Sequence, residues 1–583
     1  MHDISLKKNK FLNKDQVIIL LFGFILLCYY YSNIENIYTI WELDDEAGYI
    51  FNASLFSKDN WREVFSNVTA YYGYGYSLIL IPLFYLCDSG LALIRGVIGV
   101  NIFCILLLYF MQIAVMSKIL PECKKSVLSV CSAIMCLLPY LVASSMKTIC
   151  EVYLTLVVWT IAWILYKAIE SKKNIYYILL YIATAYIFFV HTRSIAIVGA
   201  VWGVLLFQML YAEKKKKAII SFVLGLVLFA ISYILFNCVK AYILNILGTG
   251  TVIKQNETVI NVISSNYILD RIKWLFSPEN LSIYFHSVVG KLFYLIVATA
   301  GIFLFGIGYE FKRVKEKKAL FLKENFLELY FVLAFILMMG LCVVSGTGDT
   351  YEYFIYGRYY EYTISFIVFM GIYYLSGEES QNILNYIWVL IIILCAGLLA
   401  ARLDIFTVQN SVNLDTNRYV GFSYGISKTN DWKTLIFYMT IFSVAIMVCF
   451  ALIRNIKYRI VLVLLVLLFW FLVNNEIALD KIDSTQKTLE SDIDFIQNIQ
   501  ENEQNIPVYF IYEPYKYDKY FTRIQVHLKD KIMKVILPED VQTISKEAYI
   551  ITYIDSTASK QFRNDTQYEL LSKTVHYKLY LKK

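Results

Sequence analysis

Asp44, Asp45 and Glu46 stand in direct succession within WELDDEAGYIFNASLF, Trp41 to Phe56, directly after an apolar run from about Gln16 to Ile40. A carboxylate in such a place can take a proton as a general base or help to hold a metal ion. Downstream, Ala47, Ile50, Phe51, Ser54 and Leu55 fall near helical spacing, so the acids precede a helix or begin it. One aspartate is enough to cap free N–H groups and complement a helix dipole, and a cluster exceeds that need. Glu151 is the second acidic candidate, in MKTICEVYLTLVVW, Met146 to Trp159, at the start of another apolar run. A helix dipole alone would also favour an acid there.

The elements that must position these acids are membrane helices. Of the 583 residues, 58% are hydrophobic and 17% charged, and the mean hydropathy is positive. A soluble chain of this length needs more polar surface. Apolar stretches long enough to cross a bilayer recur to about residue 474, and about thirteen are expected, to within about two. The fold class is therefore a multi-span α-helical membrane protein. Its first apolar run is too long for a cleaved signal peptide and is read as a retained first span.

Basic residues report the orientation. Lys7, Lys8, Lys10 and Lys14 precede the first span, and Lys118, Lys124, Lys125, Lys172, Lys173, Lys214 to Lys217, Lys312 to Lys318 and Arg454 to Arg459 occupy alternate loops. The positive-inside rule makes those loops and the N terminus cytoplasmic and, with an odd number of spans, the C-terminal segment extracytoplasmic. GEESQN, Gly377 to Asn382, is the one inner loop without a basic residue. The net charge of +7 is spread over short loops and not over one polar face, so it gives no support to a nucleic-acid partner. Long outer segments are expected at about 41–90, 247–285, 346–360 and 403–432, and chemistry belongs there, because loops tolerate geometry that spans do not.

The chain divides into a transmembrane domain, residues 1–479, with its first outer loop at 41–90, and a small extracytoplasmic α/β domain, residues 480–583. The second carries strand-like runs VYFIYEP, KVIL, AYIITYI and YKLYLKK and no glycine. Lacking a phosphate-cradling loop, it is expected to brace or recruit and not to catalyse. The eleven cysteines lie mostly within spans, and the five histidines show no metal-ligand spacing.

A first span followed by an outer loop that opens on Asp45-Glu46, with Tyr49 a few residues on, resembles the GT-C class of integral-membrane glycosyltransferases, particularly the lipid A aminoarabinose transferases and protein O-mannosyltransferases. YYGYGYSLILIPLF, Tyr71 to Phe84, resembles the second amphipathic helix of that loop, LALIRGVIG with Arg95 the start of their second span, and the Glu151 region the outer start of their fourth. The resemblance covers roughly the first 220 residues. It implies a GT-C-like fold and transfer of a sugar from a polyprenyl-phosphate donor to a cell-envelope glycan, lipid or protein acceptor, on the outer face of a cell membrane. Direct displacement would invert the anomeric centre, with Asp45 as base and Glu46, Asp44 or Glu151 in support. A divalent metal ion is the cofactor such an enzyme could use. Gly-Tyr-Gly-Tyr stands where aminoarabinose transferases carry an acidic-basic-proline motif for metal and phosphate, so metal use is left open.

Under this reading Lys147, Arg193 in FVHTRS and Arg358 in YGRYYE are candidates for the donor phosphate. Lys147 also stands one turn before Glu151 as a simple ion pair would, and either arginine suits an interfacial anchor. YGRYYE is similar to a Gly-Arg-Tyr element before a late span of related transferases. Tyr49, Tyr72, Tyr74 and Tyr76 could stack on sugar rings, although aromatic belts explain most of the 49 tyrosines. His286 is a weaker candidate ligand, since a lone interfacial histidine is usually structural. The alternatives are a glycan polymerase or ligase, which would rely on arginines, and a lipid-linked glycan flippase, which should carry midplane ionisable groups and repeated halves.

Overall fold

A computed structural model describes residues 13–41, 43–65, 73–211, 215–247, 273, 277–317, 324–345, 354–403, 419–429, 431–500, 506–513, 521–544, 547–563 and 565–583, without the side chains of 43–45, 65, 217–218, 243–247, 279 and 345. Its helices in chain order are α1 Lys14–Tyr31, α2 Leu43–Ser54, α3 Arg62–Phe65, α4 Tyr74–Leu86, α5 Gly90–Ile119, α6 Lys125–Cys136, α7 Pro139–Ser145, α8 Glu151–Ser171, α9 Asn174–Val190, α10 Ile195–Leu210 and α11 Lys215–Leu247. These are followed by α12 Pro278–Ala298, α13 Ile302–Lys317, α14 Phe326–Ser345, α15 Ser365–Leu375, α16 Ile383–Arg402, α17 Ser423–Lys428, α18 Trp432–Leu452 and α19 Ile456–Ser491. The short helices α20 Phe495–Gln500, α21 Phe521–Leu528 and α22 Thr557–Phe562 belong to the C-terminal part.

Among the described residues ten helices are long and apolar enough to cross a bilayer, and α6 with α7, bent by 61°, makes up to eleven. The expected thirteen is reached when two of the three shorter apolar helices, α4, α9 and α15, are added. Length separates the two figures, because a hydropathy pattern does not mark where a helix breaks.

Breaks inside apolar surroundings need side chains to satisfy the freed carbonyls. At the α6/α7 bend the Tyr30 hydroxyl donates to the Cys136 carbonyl, and Asn475 Nδ2 donates to the Leu137 carbonyl at 2.9 Å. At the α12/α13 break Trp470 Nε1 donates to the Val297 carbonyl at 3.0 Å. Asn475 and Trp470 both belong to α19, which thus stitches two broken segments together.

Helix α19 runs unbroken through residue 480, where the composition changes, and leads to a five-stranded sheet. The strands are β1 Val508–Ile511, β2 Lys534–Ile536, β3 Ala548–Tyr553, β4 Tyr568–Lys573 and β5 Tyr577–Lys582, in the order β2-β1-β3-β5-β4. β1 is parallel to β2 and β3, while β5 is antiparallel to β3 and β4. Four strands match the apolar runs read from the sequence. The fifth, β4, is a largely exposed edge strand whose YELLSK lacks an alternating pattern.

Helix α21 ties this part to the membrane portion. All eight of its residues are buried. A Cβ on Gly90, at the start of α5, would lie 2.2 Å from the Val526 carbonyl oxygen, so this close approach of two backbones requires glycine. Trp61 Nε1 donates to the Lys529 carbonyl at 2.7 Å, and the Lys529 ammonium donates to the Cys87 carbonyl. These contacts join the C-terminal part to the segment between α2 and α5.

Candidate active site

Helix α8 begins at Glu151, whose carboxylate is buried, with its side chain 1% exposed. Arg358 Nε donates to Glu151 Oε1 at 2.5 Å. Arg193 Nη2 lies 3.7 Å from the same oxygen. Two cations therefore share one oxygen of one acid beside a helix N terminus, where backbone N–H groups already favour anions. Among the described residues Glu151 Oε2 and Arg193 Nη1 are buried without a hydrogen-bond partner. A buried polar atom without a partner costs free energy.

Local structure fixes both arginines. The Arg193 guanidinium lies over the Tyr359 ring, 3.8 Å from its centroid. His191 Nδ1 accepts from the Arg193 backbone N–H at 3.2 Å, capping the single turn Thr192–Ser194. Arg358 sits in the turn Gly357–Tyr359. Next to that turn Glu361, 3% exposed, accepts from the Tyr294 hydroxyl at 2.7 Å, and that hydroxyl accepts from the Gly421 N–H at 3.2 Å. YGRYYE is thereby anchored to α12 through its terminal acid.

The acidic loop reaches the same neighbourhood through Glu46. Its Oε1 accepts from the Trp41 N–H at 2.7 Å, and its Oε2 accepts from the Thr148 N–H at 2.8 Å and the Thr148 hydroxyl at 3.2 Å. Glu46 thus links the start of α2 to the turn three residues before Glu151. Lys147, in that turn and not in α8, is 5% exposed, and its ammonium stands over the Trp41 ring, 5.2 Å from the centroid. Asp44 and Asp45 lie in the first turn of α2, and their side chains lie outside the described residues.

The tyrosines take a different place from the one expected. Tyr49 and Tyr76 are 1% and 0% exposed, with rings meeting edge to face at 5.4 Å. The Tyr49 hydroxyl lies 2.8 Å from Cys150 Sγ. The Tyr76 hydroxyl donates to Asn101 Oδ1 at 2.7 Å, and Asn101 Nδ2 donates to the Lys147 carbonyl at 2.8 Å. Neither ring offers a face to solvent; both support the Lys147–Glu151 turn. Tyr74 is 4% exposed, packed near Phe236, and Tyr72 lies outside the described residues. In Gly-Tyr-Gly-Tyr the glycines serve packing: a Cβ on Gly73 would lie 2.3 Å from the Val190 carbonyl oxygen, and one on Gly75 2.8 Å from the Val190 nitrogen.

His286 Nδ1 lies 2.6 Å from the Ser282 carbonyl, within its own helix and partly against Phe354. Sequence reasoning missed Lys291, which is 1% exposed and donates to Ser287 Oγ at 2.8 Å. A lysine in the middle of an apolar span was its available signal. Glu361 was legible only as the last residue of YGRYYE.

No protein-family model and no curated protein sequence matches the chain. Among solved structures, ArnT from Cupriavidus metallidurans bound to undecaprenyl phosphate superposes with a TM-score of 0.54 at 12% identity, covering 97% of both chains. The apo state of the same protein gives 0.50 at 10% identity over 97% of both. An apo oligosaccharyltransferase from Archaeoglobus fulgidus gives 0.44 at 8% identity, covering 94% of this chain and 70% of its own. The fold of this chain is the GT-C fold of ArnT, over nearly its full length.

Proposed function

We propose that this multi-pass membrane protein transfers a sugar from a polyprenyl-phosphate donor to an acceptor at the outer face of a cell membrane. The observation that carries the reading is the Glu151, Arg193 and Arg358 cluster, with its two buried unpartnered atoms, tied through Glu46 and Thr148 to the loop that bears Asp44 and Asp45. It occurs on the fold of a protein solved with undecaprenyl phosphate.

In this reading Arg193, Arg358 and Lys147 offset the charge that grows on the departing phosphate as the sugar–phosphate C–O bond breaks. Asp45 accepts the proton of the attacking acceptor hydroxyl or amine as the new glycosidic bond forms, and polyprenyl phosphate leaves. A single displacement inverts the anomeric centre. Glu151 holds the arginines at their spacing. The N terminus is cytoplasmic and the C-terminal domain extracytoplasmic, in keeping with the placement of the basic loops.

Among the described residues no three His, Cys, Asp or Glu side chains converge, and Glu151 already serves two arginines. That leaves Asp44 and Asp45, whose side chains lie outside the described residues, as the acids that could meet a divalent ion. The test is to incubate purified protein with labelled polyprenyl-phosphate sugars and candidate envelope acceptors, comparing wild type with Asp45→Asn. Transfer by wild type and its loss in the variant support the reading. Product of retained configuration overturns direct attack, and label that crosses the bilayer without a new glycosidic bond overturns transfer.

A further inference from the structure

The segment Tyr38–Trp41, which delivers the chain into the acidic loop, belongs to neither helix nor strand. Thr39 and Ile40 are 1% and 0% exposed. Buried irregular backbone must find its hydrogen bonds among side chains. Here those side chains come from the far end of the sequence. Gln486, on the last turns of α19 and 2% exposed, accepts with Oε1 from the Tyr38 N–H at 2.9 Å and the Thr39 N–H at 2.8 Å. Its Nε2 donates to the Thr39 carbonyl at 2.8 Å. Arg523, on α21 and 1% exposed, donates from Nε to the Ile40 carbonyl at 3.0 Å. The next N–H, that of Trp41, goes to Glu46.

We infer that Gln486 and Arg523 are positioning residues for the acidic loop, and that the C-terminal part of the chain sets the pose of Asp44–Glu46 relative to Glu151. An inference of this kind rests on the transfer reading above. One amide side chain satisfies three peptide groups of two adjacent residues, so it fixes the rotation of the segment as well as its place. The guanidinium fixes the carbonyl immediately after them. A shift here of about 1 Å would be carried into the loop, which is enough to cost on the order of a hundredfold in rate.

The experiment uses full-length protein in detergent, with Gln486→Leu, Gln486→Glu, Arg523→Gln and Arg523→Lys. Gln486→Glu keeps the acceptor for Tyr38 and Thr39, and Arg523→Lys keeps a donor for Ile40. Expected are a fall in kcat on the order of ten- to a hundredfold for Gln486→Leu and Arg523→Gln, with KM for the polyprenyl-phosphate sugar within about twofold and partial recovery in the conservative variants. Hydrogen exchange of the Tyr38 and Thr39 amides, read without substrate, should quicken at least tenfold in Gln486→Leu. Should a variant fail to fold, exchange and kinetics on the conservative variant of the same residue decide. Unchanged exchange overturns the inference, as does unchanged kcat in both severe variants. Absence of transfer by wild type overturns the proposed function instead, and the exchange measurement still decides this inference.

Discussion

Arg358 and Glu151, 207 residues apart in sequence, meet with Nε 2.5 Å from Oε1, and neither side chain is more than 12% exposed. A planar guanidinium fitted to a buried acid does two things at once: it neutralises the acid, and it fixes the direction in which its remaining N–H groups point.

Removing one partner should therefore cost more than the net value of the pair. Arg358→Gln leaves the Glu151 carboxylate buried with Arg193 at 3.7 Å as its remaining charge partner in the cluster, a loss of about 3 kcal/mol. Glu151→Gln with Arg358→Gln together should lose less than the sum of the single variants, by about 1–3 kcal/mol. Thermal unfolding in detergent, followed by dye reaction at buried cysteines such as Cys136 and Cys150, checks both. Strict additivity would show that the contact does not couple.

Glycine positions supply a paired prediction on packing. Gly73→Ala places a methyl 2.3 Å from a backbone oxygen of Val190, which cannot rotate away, so α4 and α9 must part, costing about 1–3 kcal/mol. Gly99→Ala, inside α5 with nothing within 4 Å of the new atom, should leave stability unchanged or raise it by about 0.5–1 kcal/mol through helix propensity. Equal effects at the two positions would remove packing as the explanation of the Gly-Tyr-Gly-Tyr motif.

His527, at the end of α21, predicts acid sensitivity. Burial first, and the nearby Arg523 charge second, push its imidazole down to about 3. The unfolded chain binds a proton there below about 6.5, while the native state stays neutral until about 3. The stability contributed is full above about 6.5 and declines as pH falls through that window, by up to about 1.4 kcal/mol per unit. Unfolding measured from pH 7 to 4.5 should show a steeper acid decline in wild type than in His527→Phe, and parallel profiles would contradict the assignment.

These cases also show what a one-dimensional reading can reach. Spans, basic loops and four of five strands follow from local hydropathy and alternation, because each is decided by neighbours in sequence. Glu151, Arg193 and Arg358 were legible as charges at the ends of apolar runs, although not as one cluster. The partners of Glu46, Tyr76 and Gln486 were not legible: Thr148 is 102 residues from Glu46, and Thr39 is 447 from Gln486. Helix breaks such as α6/α7 escape for the same reason, since their carbonyls are satisfied from α1 and α19.

Adjacent acids give the sharpest division of roles. Glu46 uses Oε1 for the Trp41 N–H and Oε2 for Thr148. Glu46→Gln must turn an NH2 group toward one of these donors, so one bond becomes a donor facing a donor in a buried site, costing about 1–3 kcal/mol of stability. Asp45→Asn, in the proposed role of base, should leave unfolding unchanged and lower kcat by about 10²–10⁴. The comparison therefore has to measure stability and rate on both variants. A stable Glu46→Gln protein that has lost turnover, beside a fully active Asp45→Asn, would move the proton acceptor to Glu46 and make its contact with Thr148 part of the chemistry.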